Sequence, residues 1–181
     1  MFVSAERVVR RDGAGGLTSR AVTTEAGVAK GVMHHHFADF DAFLAELVLD
    51  RTAQLDRTAS VLCDAAGSST VVDNLADALR AVFTPLAVAM IALVVTRDGL
   101  RTRLGEAGAA RFPMLVEGCA MVTAYLRLEQ ARGRVAATAD VPTLSRTLIG
   151  SAHLLFTDRE GGAPDPAELR QVVGAVLQGG V

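Results

Sequence analysis

The chain has 181 residues, half of them apolar, few of them aromatic, and a formal net charge of −2 at pH 7. This length is enough to bury a sizeable core. The balanced charge excludes a protein that binds polyanions over its whole surface, so any contact with nucleic acid must be local. No signal peptide opens the chain, and its most apolar run, residues 86–95, is too short to span a membrane. We therefore expect a cytoplasmic protein with no membrane partner.

Residues 2–12 predict a first helix, with Val8 and Val9 facing inward. The stretch 18–44 then predicts two short helices joined by a tight turn, followed by the start of a longer helix. Thr18 is a good N-cap for the first of these, and Gly27 lies where the turn needs left-handed backbone angles. Both features are typical of a helix-turn-helix motif. The remaining apolar residues of this stretch are expected to pack inward: Val22, Ala26, Val28, Val32, Met33 and Phe37.

This stretch resembles the DNA-binding domain of the tetracycline-repressor (TetR-like) family of bacterial transcription regulators. The resemblance covers about the first 50 residues. It is carried by Ala5, Val8, Val9, Gly13, Thr18, Val22, Ala26, Gly27, Val28, Lys30, Gly31, Phe37, Phe43 and Leu44. It implies that residues 29–36 form a recognition helix, whose N-terminal residues meet base edges in the major groove. The DNA-binding residues it implies are Thr18, Ser19, Arg20, Ala29, Lys30, Gly31, His34 and His35.

Three positions depart from the family pattern. Ala29 replaces a small hydroxyl residue, and Phe40 replaces a lysine near the start of the fourth helix, where Asp39 is the expected cap. Each change removes a phosphate contact, which predicts weaker non-specific binding and a shallower salt dependence. His34 replaces a tyrosine that contacts phosphate in the family. A histidine donates to phosphate more strongly when protonated, so we expect DNA binding to tighten as the pH falls from about 8 to 6.

The rest of the chain predicts further helices and no strand. Apolar residues recur every three or four positions over residues 72–83, 112–133, 144–156 and 169–177. A short basic helix is expected at 100–106. Residues 85–95 are apolar all round, which predicts a fully buried central helix. The sequence thus predicts an all-α fold of about nine helices, with a helix-turn-helix domain at 1–47 and a ligand-binding and dimerisation domain at 48–181.

The resemblance also implies a ligand cavity among the central helices, and adaptable methionine side chains suit such a lining. Ordinary core packing is the alternative for these residues. The candidates are Phe83, Met90, Val94, Met114, Met121 and Tyr125.

The last two helices carry apolar stripes that so small a domain cannot easily bury within itself. We expect them to pair with their symmetry mates in a four-helix bundle, giving a homodimer. The interface residues predicted are Leu144, Leu148, Ala152, Leu155, Leu169, Val173 and Val176.

No metal or catalytic site is predicted. Consecutive helical residues point about 100° apart, so His34, His35 and His36 cannot converge on one tetrahedral ion. His153 stands alone on an apolar helix, and no phosphate loop or nucleophile motif is present. We expect neither a cofactor nor an enzyme, and a small all-α enzyme using these histidines has no further support.

The interpretation that follows is a ligand-responsive transcriptional regulator of the repressor type. It binds a palindromic double-stranded operator as a homodimer and is released by a small apolar or amphipathic effector. The alternative is a helical small-molecule-binding protein with weakened or lost DNA recognition, which the departures at Ala29 and Phe40 favour.

Overall fold

The computed structural model describes residues 1–158 and 163–178, except for the side chain of Lys30. These residues form ten α-helices and no strand, which confirms the all-α prediction. The helices are α1 (Phe2–Asp12), α2 (Ser19–Glu25), α3 (Lys30–His36), α4 (Phe40–Asp64), α5 (Val71–Val82), α6 (Pro85–Thr96), α7 (Asp98–Glu106), α8 (Pro113–Ala131), α9 (Val141–Thr157) and α10 (Pro166–Gln178).

Short-range signals in the sequence set most helix starts. The hydroxyl of Thr70 accepts a hydrogen bond from the backbone N–H of Asp73 and caps α5. Pro85 begins α6, where its missing N–H costs nothing and its ring presets a helical φ. Asp140 caps α9 through the backbone N–H of Thr143.

The chain packs into two compact units. The first comprises Met1–Ala53 and Pro85–Met114, and the second comprises Gln54–Thr84 and the chain from Leu115 onward. The first unit thus draws on two separate segments, whereas the predicted domains divided the chain once, after residue 47. The assignment of DNA binding to 1–47 and of ligand binding to 48–181 stays a prediction.

In the first unit, α1 packs against α2 and α6, and α2 packs against α3. Val8, Val22, Phe43, Leu47 and Leu100 are completely buried and form the centre of this core. Residues 85–95 were expected to form a fully buried helix, and this expectation is wrong for the C-terminal end of α6. Ala92 and Thr96 are exposed, and Val95 is 56% exposed.

In the second unit, α10 packs against both α5 and α9. Gly118 of α8 allows close packing on α9, since a Cβ there would come within 3.1 Å of the Cδ1 atom of Ile149. Leu75, Leu79 and Val173 are completely buried.

Candidate nucleic-acid interface

The turn between α2 and α3 has the geometry of a helix-turn-helix. The N–H of Gly27 donates to the carbonyl of Thr24, and the N–H of Val28 donates to that of Thr23, both at 3.1 Å. These two bonds close α2 in a Schellman motif, which needs a left-handed residue just past the helix. Gly27 supplies it with φ +67°, as predicted.

Helix α3 is fixed to the core along one side. Met33 is buried, and its Sδ atom lies 3.1 Å from the hydroxyl Oγ of Ser19 in α2. Phe37, directly after the helix, makes an edge-on contact with the buried ring of Phe43, with ring centroids 5.1 Å apart. Because this side of α3 is held by packing, its other sides face solvent.

The predicted inner face of this motif is partly wrong. Val22 and Met33 are buried as expected, but Val28 is 36% and Val32 37% exposed. A seven-residue helix packed through Met33 alone cannot bury a neighbour that points about 100° away from it. Val32 therefore lies on the solvent side of α3.

The predicted DNA-binding residues are found at the start of α2 and along α3. Thr18 is exposed and caps α2, its Oγ1 accepting from the N–H of Ala21 at 3.1 Å, as predicted. Ser19 is half-buried through its contact with Met33. Arg20 is exposed and makes no ion pair with any residue in the described ranges. The side chain of Lys30 lies outside the described part of the structure. The other predicted DNA-binding residues, on α3 and at its N-cap, are all exposed: Ala29, Gly31, His34 and His35.

The arginines of α1, in contrast, are engaged within the unit. Arg11 donates to Glu25 of α2 at 2.8 Å and to its neighbour Asp12, which raises the pKa of its guanidinium and lowers the pKa of the Asp12 carboxyl. Arg10 pairs with Glu6 at 2.7 Å. An open cleft of about 430 Å³ lies beside α2, lined by Arg11, Thr18, Arg20, Ala21, Thr24 and Glu25.

The first turn of α4 is held by two arginines from the distant segment of the same unit. Asp39 caps α4 through the N–H of Ala42 at 2.8 Å, as predicted, and also pairs with Arg103 of α7. Both contacts lower the pKa of the Asp39 carboxyl, the bond from Arg103 most of all. Asp41 pairs with Arg97 at 2.6 Å. These partners are more than fifty residues apart in sequence, so no local pattern reveals them.

Phe40 has a packing role at the position where the resembling family has a lysine. Its ring stacks on Phe43, with centroids 5.7 Å apart and planes 18° apart. The guanidinium of Arg97 lies over the Phe40 ring, 5.7 Å from its centroid, in a cation–π contact. The same arginine thus contacts both Phe40 and Asp41.

The predicted ligand-binding residues are all buried, and they divide between the two units. Met90, Val94 and Met114 belong to the first unit, and Phe83, Met121 and Tyr125 to the second. The hydroxyl of Tyr125 accepts from the side-chain amide of Asn74 at 2.9 Å. Burial, and after it a hydrogen bond with Glu129, raises the pKa of this phenol. The lining role of these residues stays a prediction.

The predicted dimer residues lie mostly inside the chain's own core. Five of them are buried within the single chain: Leu144, Leu148, Ala152, Leu169 and Val173. Leu155 and Val176 are half-buried. The apolar stripes pack α9 and α10 against each other and α10 against α5, so the five buried residues have no surface left for a partner. The exposed residues of these helices include Thr143, Arg146, Thr147, Gly150 and Leu154 on α9, and Arg170, Gln171, Ala175 and Gln178 on α10.

Within residues 1–158 and 163–178, no three His, Cys, Asp or Glu side chains come together as metal ligands. No single helix in those ranges is long and apolar enough to cross a membrane. Taken together, α5 and α6 have sufficient length and apolar composition, but the pair is bent by 65°.

Solved structures with the same architecture match almost the whole chain. A protein from Mesorhizobium loti assigned to the TetR family of transcriptional regulators matches 98% of this chain and 91% of its own, with a TM-score of 0.66 and 18% identity. The fold is that of the TetR family. A transcriptional regulator from Rhodococcus sp. Rha1 has a TM-score of 0.69 at 21% identity, over 98% of this chain and 94% of its own.

The TetR-like fold also occurs in a solved complex. The Bacillus subtilis regulator FadR, in complex with stearoyl-CoA, has a TM-score of 0.66 at 19% identity, over 98% of this chain and 96% of its own. No protein-family model matches the sequence, and no curated protein matches it as a relative. At these identities the likeness establishes the fold.

Proposed function

We propose that this protein is a ligand-responsive, DNA-binding transcriptional regulator of the repressor type. The observation that carries the proposal is the presentation of α3, which Met33 anchors on one side and which exposes Gly31, His34 and His35 on others. No acidic residue occurs between Ala26 and Ala38, so nothing there repels a phosphate backbone. The second helix of a helix-turn-helix is the one that enters the major groove, which supports the proposal.

The proposed regulator is a homodimer. Its recognition helices would lie about 34–36 Å apart to meet both halves of a palindromic operator. Because most apolar residues of α9 and α10 are used inside the chain, we assign the contact to the exposed faces of these helices, with Leu154, 68% exposed, at its centre. Leu154→Glu is expected to shift the sedimentation of the protein from dimer to monomer.

The proposed effector is a small apolar or amphipathic molecule. Its class is supported by FadR, which has the same fold and was solved with stearoyl-CoA. Within the first unit, the buried methionines Met90 and Met114 are adaptable side chains that suit such a ligand. Release from DNA requires that the effector bind the conformer with mis-spaced recognition helices more tightly than the DNA-binding conformer. The difference between these two binding free energies equals the free energy of coupling.

The test is a fluorescence-anisotropy titration against the DNA that flanks the protein's own gene, with scrambled DNA as control, at two salt concentrations. We expect tight, salt-sensitive binding to the first DNA alone. Arg20→Gln should weaken binding and reduce the salt slope by about one, because it removes one phosphate contact. Arg127→Gln, an exposed arginine of α8 with the same charge change, is the matched control and should leave both unchanged.

The second candidate is a ligand-binding protein of the same fold that has lost DNA recognition. It is favoured by α3 having no side-chain N-cap at Ala29 and by Phe40 being committed to packing. Equal and feeble binding to both DNAs, unchanged by Arg20→Gln, would support it against the first.

A further inference from the structure

We infer that Val32 reads the methyl group of a thymine in each half of the operator. The inference rests on the proposed function and adds the chemistry by which one base is recognised. It starts from the exposure of Val32, an apolar side chain that the sequence pattern placed in the core.

The outward face of α3 follows from its anchor. Successive helical residues are about 100° apart, so His35 lies about 160° from the buried Met33, and Val32 lies about 100° from it on the side nearer His35. Gly31 also lies about 160° from Met33, about 40° beyond His35 on the side away from Val32. Val32 is therefore directed toward a surface that the core does not cover, in the first turn of the helix, which is the part that meets base edges.

Gly31 leaves room for a close approach beside Val32. Apart from its chain neighbours and the backbone of its own helix, no atom of the chain lies within 4 Å of a Cβ built at Gly31, so no packing contact of the free protein requires a glycine there. Glycine within a helix costs up to about 1 kcal/mol relative to alanine, and it is used where a backbone must come close to a ligand. Gly31 therefore leaves the backbone of the first turn without a side chain, one residue before Val32.

The chemistry of valine selects its target. Its side chain has neither donor nor acceptor, so it cannot read the polar edge of any base. In the major groove, the C5-methyl group of thymine is the one apolar group on the base edges. Contact between this methyl and the two methyls of Val32 removes apolar surface from water on both molecules.

The experiment begins with selection of binding sites from random-sequence duplex DNA by the wild-type protein. Each thymine of the selected half-site is then replaced in turn by deoxyuridine, which removes only the methyl group, and affinities are measured by anisotropy. The variant is Val32→Ala. The control is Val95→Ala, an equally apolar loss at an exposed valine of α6 in the same unit.

We expect one thymine per half-site at which deoxyuridine weakens wild-type binding about fourfold, the worth of one buried methyl group. The Val95→Ala variant should lose the same affinity on this deoxyuridine replacement. The Val32→Ala variant should lose none, because it lacks the valine methyl groups that contact the thymine methyl. Identical deoxyuridine effects in wild type and Val32→Ala, or a selected site without thymine, would overturn the inference while DNA recognition stands. A selection that enriches no site would instead overturn the proposed function, and this inference with it.

Discussion

The carboxylate of Glu129 is the most consequential buried charge described in the second unit. Its side chain has no exposure, its Oε1 accepts from the N–H of Gly67 at 3.1 Å, and its Oε2 lies 3.4 Å from Nε of Arg134. Arg134 is 30% exposed and also donates to the carbonyl of Ser69. The two charges of the Glu129–Arg134 pair therefore differ in their access to water, because only the guanidinium of Arg134 can be hydrated when the pair is broken.

This inequality predicts which substitution costs more. Glu129→Gln keeps the shape and one acceptor for Gly67, and the released guanidinium can be hydrated, so we expect a loss of about 1 kcal/mol. Arg134→Met leaves a fully buried carboxylate without its cation. Removing one partner of a buried pair costs about 3–5 kcal/mol, and we expect about 3 kcal/mol here.

The assay is equilibrium urea unfolding at one protein concentration, with the slope m checked for constancy. Arg127→Met, at an exposed position of α8, is the control and should stay within about 0.5 kcal/mol of wild type. The double variant Glu129→Gln/Arg134→Met should be more stable than Arg134→Met alone. If Arg134→Met costs no more than Glu129→Gln, the carboxylate is not confined from water and the reasoning is refuted.

Three further predictions concern single residues. Gly27→Ala should lower the free energy of unfolding by about 1–2 kcal/mol, because a residue with a Cβ is strained at the φ of +67° found there. Apart from the chain neighbours, no atom lies within 4 Å of the added Cβ, so no new packing contact offsets this strain. A change below about 0.3 kcal/mol would contradict the prediction. Burial lowers the pKa of His153, so the unfolded chain binds its proton more readily and stability should fall as the pH drops through about 6.5. His153→Gln should remove this part of the pH dependence in urea titrations at pH 7.5 and 5.5, and an unchanged difference would count against it. Under the proposed function, His34→Gln should weaken operator affinity by up to about fivefold through loss of one exposed phosphate contact, and an unchanged affinity would exclude His34 from the interface.

Features with partners nearby in sequence were predictable. Thr18 and Asp39 bond backbone groups three residues away, and Gly27 closes the turn in which it stands. In each case the residue type and its position relative to a helix start contain the necessary information. The order of the helices and the all-α class followed from the same short-range signals and the helical periodicity.

Features that depend on distant packing were not predictable. Periodicity identifies an apolar residue but not what covers it, so Val32 was placed in the core and Leu148 and Val173 on a dimer surface. The pairing of Asp41 with Arg97 spans 56 residues and has no local signature. The contact that holds the buried carboxylate of Glu129 on the far side is equally invisible, because Gly67 donates to it from 62 residues away.

The composition of the first unit limits how far this protein can be treated as modular. The cap of α4 shares its carboxylate with Arg103, and α1 packs against α6, so the helix-turn-helix is completed by a segment that begins at Pro85. A chimera that carries only residues 1–47 on a foreign effector domain would lose these partners and expose the buried side of α1. Under the proposed function, DNA specificity would be exchanged by transplanting the surface residues of α3 into the intact chain, rather than by moving the N-terminal segment as a block.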